Sequence, residues 1–375
     1  MTEPVIQTED LTYSYHLRQP RPSLDKVSLS IGRGVRTVIL GANGAGKSTL
    51  FYHFNGIFKP KKGRVLFNGE PLDYSKEALQ NLRSKISVVV QNPDEQIFSA
   101  TVEEDIAFGP MNCGLEREEI EKRIQQSLFK VDMEEYRYRP TIQLSYGQRK
   151  RIALAGALAI DPEVLILDEP TAGLDSKMSQ EVIELAEQLC AKGTTVIIST
   201  HDVDLAYAWA EEIHVLRNGK LVYSGEPEPF FSKPEEVALA GLTLPHTFSV
   251  NDSVERIRGN PPGPYPRTNS QLLSKIGPHV PTLGHITIVP VKDKIPEIEN
   301  KGITGVYGFN TRHVLREMGK TTDYRFNAIE CCMIDALNGR DTTIYCDTDM
   351  VGFVKDHIAS LERFGKKTEV TVWES

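Results

Sequence analysis

No run of about 18 consecutive apolar residues occurs in the chain, so no segment reads as a membrane-spanning helix. The opening MTEPVIQTEDLTYSY lacks a basic start followed by an apolar stretch, and no secretory signal is expected from it. Cysteine is scarce. Cys113, Cys190, Cys331, Cys332 and Cys346 are odd in number and form no CxxC pair, which fits a reduced cytosolic protein better than a disulfide scaffold. Basic side chains are outnumbered, 43 Lys and Arg against 51 Asp and Glu, for a net charge of −8. That balance argues against general affinity for nucleic acid, and no nucleic-acid partner is expected. No internal repeat is visible. What remains is ordinary globular composition, 40% hydrophobic and 25% charged, over 375 residues. That length suits two or three domains, each able to bury a core.

Residues 1–242 read as strands alternating with helices. VRTVIL, ISVVV, EVLIL and TTVIIS are β-branched runs bounded by Gly, Pro or polar residues. EREEIEKRIQQSLFKV and MSQEVIELAEQLCAKG lie between them as helical runs, the second ending on a glycine stop. This alternation predicts an α/β fold with a mainly parallel, helix-covered sheet. EIHVLRNGKLVY differs, because Asn218-Gly219 between two strand-like runs signals a tight hairpin. Pro245, Pro261, Pro262, Pro264 and Pro266 then mark residues 243–270 as a semi-extended linker. Regular patterning resumes over residues 271–375, which predict a second, smaller α/β domain. Its strand candidates are HITIVPV, GITGVYG, TTIYC and TEVTVW; YRFNAIECCMIDALNG and DMVGFVKDHIASLERFG are its helix candidates.

Two motifs carry chemistry. VILGANGAGKST follows a strand and opens a helix, and Gly41 to Ser48 matches GxxxxGK[ST]. Gly41, Gly44 and Gly46 let the backbone curl so that its N–H groups face phosphate oxygens, while Lys47 brings a cation to the β and γ phosphates. Ser48 is placed to hold Mg²⁺, and the helix N-terminus adds partial positive charge. The whole loop, Asn43, Ala45 and Thr49 included, is expected to bind nucleotide. A glycine-rich turn with a chance lysine is the bland alternative, and the flanking strand and helix argue against it. The second motif is EVLILDEPTAGLD, an apolar strand ending in two acids. Asp168 at the strand end suits Mg²⁺, and Glu169 suits a general base polarising the attacking water. Alone, the pair would read as two solvated carboxylates; with the phosphate loop upstream it reads as catalytic.

LSYGQRKR precedes the acidic strand by one helix length, STHD ends the next strand, and VVVQNPDEQIF ends an earlier one. In that order the motifs resemble the ATPase subunits of ABC transporters over residues 3–242; kinases and GTPases lack such a signature. The resemblance implies a RecA-like core with antiparallel β and helical signature subdomains. It also implies a role for each matching residue. Tyr15 stacks on adenine. Gln91 links the γ-phosphate and Mg²⁺ to the membrane partner. Ser145, Gly147 and Gln148 face nucleotide held by an opposite subunit, and Asp175 lies on the loop crossing between subunits. His201 contacts the γ-phosphate. A strand aromatic at Tyr15 or a helix cap at His201 would be the plainer reading of either alone. QNPDEQIFSATVEEDIAFGPMNCGL and LTYSYHLRQPRPSLDKVSLSI further resemble the energy-coupling-factor ATPases of cobalt/nickel type, where the first stretch meets the transmembrane coupling protein. Thr101 and Glu104 within it spell a capping box, so a helix is expected to start there.

Tyr146 stands where such signatures carry a glycine. If its φ is negative a side chain costs little there, and the loop is expected to be active with Tyr146 pointing away from phosphate. In the second domain, Ile329, Cys332, Met333, Ala336 and Leu337 form one apolar helix stripe, so Cys332 reads as core and Cys331 lies nearer Asp335. No standard metal spacing is present there; control of rate or support of a dimer is expected from position alone.

The leading expectation is an ATP-hydrolysing motor of an energy-coupling-factor importer for a micronutrient such as cobalt or nickel ions or a vitamin. It would bind ATP and Mg²⁺ and work at the cytoplasmic face of the membrane. Its partners would be a transmembrane coupling protein, a substrate-binding membrane subunit, and a second ATPase copy as homodimer or heterodimer. A soluble ABC ATPase acting on DNA or ribosomes, or an ATP-sensing module, are the rivals. The chain lacks the coiled-coil insertion or the second ATPase domain expected of the former.

Overall fold

Short β-branched runs bounded by turn residues become strands wherever the chain can bury both of their faces. A computed structural model describes residues 3–16, 21–278, 280–296 and 302–373. The chain divides into two compact units, Met1–Thr243 and Leu244–Ser375.

In the first unit, β1 (Pro4–Tyr13) and β2 (Leu24–Gly32) precede β3 (Thr37–Leu40) and helix α1 (Lys47–Phe54). The stretch 11–31 that carries part of the family resemblance includes residues 17–20, which lie outside the described residues. Next come β4 (Lys62–Phe67), β5 (Glu70–Pro71), α2 (Lys76–Arg83) and β6 (Ile86–Val89). Three helices follow, α3 (Val102–Asn112), α4 (Arg117–Lys130) and α5 (Tyr146–Ala159). The unit ends with β7 (Val164–Asp168), α6 (Ser176–Ala191), β8 (Thr195–Thr200), α7 (Val203–Trp209), β9 (Glu212–Arg217), β10 (Lys220–Gly225), α8 (Pro227–Phe231) and α9 (Pro234–Leu239).

Two sheets result. One has the order β2-β1-β4-β5 and is antiparallel; the other runs β10-β9-β3-β8-β7-β6. The second is parallel except for β10, which returns antiparallel to β9 through Asn218 (φ 49°) and Gly219 (φ 77°), the turn that the Asn-Gly pair predicts. β3 and β7 are buried at every residue, as central parallel strands must be. Each buried Val, Leu or Ile there contributes about 1.5–3 kcal/mol. Because β3, β8 and β7 are hydrogen-bonded neighbours running the same way, the loops after Leu40, Thr200 and Asp168 emerge on one sheet edge. That edge is where ligands gather in open parallel sheets. The capping box is also present: Thr101 Oγ1 accepts from Glu104 N at 3.3 Å, and Glu104 Oε2 accepts from Thr101 N at 3.1 Å.

The second unit begins with α10 (His246–Arg258) and α11 (Asn269–Ile276). β11 (Ile286–Val291), β12 (Ile303–Tyr307), α12 (Phe309–Glu317), α13 (Ala328–Leu337), β13 (Thr342–Asp347), α14 (Val351–Ala359) and β14 (Val370–Val372) complete it. Its strands form a parallel sheet, β12-β13-β11-β14. The expected stripe is in its core: Ile329, Cys332, Met333, Ala336 and Leu337 are all buried.

The proline-rich stretch 243–270 is not a linker. It holds α10 and the start of α11, and the prolines brace them. Pro245 is the N-cap of α10. Asn251, fully buried, donates through Nδ2 to Pro262 C=O at 2.8 Å, and Phe248 stacks on Tyr265 with centroids 4.2 Å apart. The helix escaped the sequence reading because its buried face mixes Phe248 with Asn251 and Glu255, so it shows no apolar period.

Candidate nucleotide site

Residues 41–46 curl between β3 and α1, and at Gly41 and Gly46 a side chain has no room. A Cβ on Gly41 would lie 2.5 Å from Leu216 C=O. Gly46, at φ 109°, would put one 2.8 Å from Ser23 C=O. Asn43 and Gly44 are exposed at the rim while Ala45 packs inward. Lys47 is buried, and its ammonium donates to Gly41 C=O at 2.6 Å, which holds it under the loop. Its Nζ also stands 3.0 Å from Glu169 Oε1.

The acids meet this loop from the neighbouring strands. Asp168 is buried, and burial raises its pKa, opposed by hydrogen bonds from Ser199 and Ser48 and by the nearby Lys47 ammonium. Ser199 Oγ, the register partner of Asp168 on β8, donates to Asp168 Oδ1 and accepts from Glu169 N at 3.0 Å. Glu169 is buried with φ at 47°, a conformation that costs a non-glycine residue about 1–3 kcal/mol and persists only where neighbours enforce it. His201, just past β8, is half exposed, and its Nδ1 lies 3.1 and 3.0 Å from the two Glu169 carboxylate oxygens. Lys47, Ser48, Asp168, Glu169 and His201 are therefore brought together, as expected. His201 is not a helix cap; Asp202 caps α7, its carboxylate accepting from Asp204 N and Leu205 N. Tyr15 is half exposed and joins this group through its hydroxyl, 3.0 Å from Thr49 Oγ1, with its ring edge-on to Tyr13 and Phe58.

Other predicted residues stand apart. Gln91 is exposed two residues past β6. Its loop is braced by Gln96, whose Oε1 accepts from Val90 N at 3.1 Å and whose Nε2 donates to Ala153 C=O on α5 at 2.9 Å. Ser145 is the N-cap of α5 in a second capping box: its Oγ accepts from Gln148 N at 3.3 Å while Gln148 Oε1 accepts from Ser145 N at 2.9 Å. Tyr146 is the first residue of α5 and is absent from the positive-φ residues, so its side chain fits without strain. Its ring lies against Gly173, where a Cβ would stand 3.0 Å from Tyr146 Cε1. Gly147 faces Met178 and Leu174. Asp175 caps α6, accepting from Met178 N at 2.8 Å. Among the described residues, no hydrogen bond or ion pair joins Ser145, Gly147 or Gln148 to the phosphate loop.

The sequence reading missed Ser199 and Lys150. Ser199 could have been found from register, as the residue beside Asp168 on a parallel neighbour. Lys150 carries no such signal.

An oxygen pair, the Ser48 hydroxyl and the Asp168 carboxylate, lies beside a glycine loop and a buried lysine. Such hard donors fit a divalent cation, which would offset the burial that disfavours the Asp168 charge. The arrangement as a whole suits a polyphosphate, with a carboxylate at its far end.

Comparison with known proteins agrees. Residues 24–172 match the ABC transporter family. The energy-coupling factor transporter ATP-binding protein EcfA2 of Methanospirillum hungatei is 35% identical over 98% of this chain and 95% of its own length. EcfA of Methanocaldococcus jannaschii is 46% identical over 64% of this chain and 86% of its own. Among solved structures, CbiO1 from Clostridium perfringens, described as part of the ABC transporter complex CbiONQ, is 40% identical. It superposes with a TM-score of 0.57 over 68% of this chain and 97% of that one. A dimeric ATP-binding cassette bound to ADP and Pi, in a post-hydrolysis state, is 29% identical with a TM-score of 0.55, over 59% of this chain and 98% of that one.

Proposed function

Because the chain belongs to the energy-coupling factor transporter ATP-binding proteins of the ABC transporter family, which hydrolyse ATP to power transport, we propose that it is the motor of a micronutrient importer. Its cargo would be cobalt or nickel ions or a vitamin. The observation that supports the hydrolytic part of this reading is the Glu169 carboxylate, held by Lys47 on one side and His201 on the other at the mouth of the phosphate loop; the importer part rests on the family.

In this proposal ATP lies along residues 41–49, with Tyr15 against the base. The β and γ phosphates compete with Glu169 for the Lys47 ammonium. Ser48, Asp168 and Gln91 would hold Mg²⁺, which neutralises phosphate charge when bound. Glu169 accepts the proton of the attacking water at its carboxylate, and His201 Nδ1 orients that carboxylate. Ser145, Gly147 and Gln148, unattached to their own loop, serve the nucleotide of a second ATPase copy, and Asp175 lies on the crossing loop. A homodimer supplies both halves from one sequence; a related ATPase subunit would serve equally.

Coupling to the membrane is proposed through the surface after Gln91. Phe98 is 65% and Met111 63% exposed, and the Phe98 ring sits edge-on to Phe108 at 4.6 Å. Asp105 fixes this surface by accepting from Phe98 N and Ser99 N, each at 3.0 Å. Exposed aromatics on a braced loop suit a protein partner, here the transmembrane coupling protein that works with a substrate-binding membrane subunit. No helix among the described residues is long and apolar enough to cross a membrane, so peripheral attachment at the cytoplasmic face is part of the proposal.

Glu169→Gln tests it. ATP should still bind and hold a dimer, while turnover falls by about 10²-fold or more. Unchanged turnover would remove Glu169 from the base role.

A further inference from the structure

Lys150 lies on α5 one turn after Gly147 and is only 3% exposed. An ammonium group buried to that degree must spend its hydrogens on protein acceptors. Lys150 Nζ donates to Glu169 C=O at 3.1 Å and to Ala172 C=O at 2.8 Å. Burial pushes its pKa down to about 8, with the Glu169 and Asp168 carboxylates pulling the other way. Both acceptors belong to the turn between β7 and Asp175. The same Glu169 carbonyl also accepts from Ala172 N at 3.1 Å, closing that turn. Glu169 holds its strained φ because Ser199 fixes its N–H and Lys150 its C=O. A side chain leaves its backbone in a direction set by φ and ψ, so these contacts, with Lys47 and His201 at the carboxylate itself, set where the Glu169 carboxylate stands.

We infer that Lys150 is a positioning residue for hydrolysis: its ammonium pins the peptide that carries Glu169, and the turn leading to Asp175, to the signature helix. This rests on the hydrolytic reading above and adds a link to it. Through the Lys150 side chain, the helix that presents Ser145 and Gly147 to one nucleotide is tied to the base serving the other. Two further contacts run the same way. Tyr146 packs on Gly173 of this turn, and Gly147 faces Leu174 and Met178 just beyond it.

The test is a double-mutant cycle on the full chain with ATP as substrate. Lys150→Met keeps an unbranched side chain only one atom shorter and removes its donors. It is expected to lower kcat by about 10- to 100-fold, the scale of a base misplaced by an ångström, with KM for ATP changed by less than about twofold. Lys150→Arg, which can still donate to two carbonyls, should recover most of the rate. In the Glu169→Gln background no carboxylate base is left to misplace, so Lys150→Met should change the residual rate by less than about twofold. If Lys150→Met lowers the residual rate of Glu169→Gln as much as it lowers the parent's, Lys150 acts independently of Glu169 and the inference falls, while the hydrolytic reading stands. Full activity in Lys150→Met also overturns it. Glu169→Gln alone reports on the hydrolytic reading, and unchanged turnover there overturns both. Should Lys150→Met not fold, Lys150→Leu, which also lacks a donor, runs the same cycle with the same criteria.

Discussion

Gly147 separates two reasons for a glycine in the signature. A Cβ built there would lie 2.2 Å from Met178 Cε and 2.6 Å from Met178 Sδ. Gly147→Ala gains about 1 kcal/mol of helix propensity. Against this, displacing the Met178 thioether costs about 1–3 kcal/mol as overpacking. The net loss is then about 0–2 kcal/mol, a fall of only a few degrees in melting temperature for a unit of this size. Adding Met178→Ala removes the obstacle and should restore the melting temperature. Turnover should not follow. If Gly147 is bare because its peptide must lie close to a phosphate, both the single and the double variant stay slow by about 10²-fold, the scale of losing one preorganised donor. Thermal denaturation and steady-state ATPase on wild type, Gly147→Ala, Met178→Ala and the double variant decide the matter. Recovery of turnover together with stability in the double variant would refute the reasoning and leave Gly147 as room for Met178.

Tyr146→Gly, by contrast, removes only a ring that lies on Gly173 and should leave ATPase activity within about fivefold. A dead Tyr146→Gly would overturn the reading of this position. His214 is fully buried on β9, its Nδ1 2.9 Å from Ser224 Oγ, and burial lowers its pKa to about 4. The folded value lies below the unfolded one, so stability is full above pH ~6.5 and drains as pH falls toward 4, by about 3 kcal/mol at most. Melting curves of His214→Gln should lose that slope between those pH values, and a wild-type slope in the variant would dismiss His214 as its source.

Where backbone chemistry and side-chain period agree, the fold was legible. The Asn218-Gly219 hairpin, the Thr101–Glu104 capping box and the buried strands into Asp168 and His201 each follow from a local rule. So did the cluster of Lys47, Ser48, Asp168 and Glu169, because the phosphate loop and the acidic strand end have fixed places in a parallel sheet. What stayed hidden depends on contacts distant in sequence. α10 buries Asn251 and Glu255, polar residues whose partners, Pro262 C=O among them, appear only after folding. Glu169's left-handed backbone leaves no mark in its own identity. Lys150 reads as one more basic residue in RKR until folding brings α5 against the turn that follows β7.

We propose that the second unit supports association of two copies, and cutting the chain tests that. Every residue matched to ATP lies at or before His201, and the sheet that carries them is complete by β10. The relative from Methanocaldococcus jannaschii aligns over 86% of its own length with 64% of this chain. A chain ending at Thr243 is expected to fold and to bind ATP, since the cut falls between the two compact units. The effect to look for is in the concentration dependence of ATPase rate. If the second unit adds contacts between copies, losing about 1.4 kcal/mol of them moves the dimerisation midpoint tenfold to higher concentration at an unchanged plateau. If it governs the catalytic cycle, the plateau itself changes and the midpoint stays. We expect the midpoint to move, because α10 presents Ile257 at 87% exposure and Val250 at 44%, apolar side chains on one helix that association would cover. An insoluble or non-binding truncation would show that the first unit needs the second for its core.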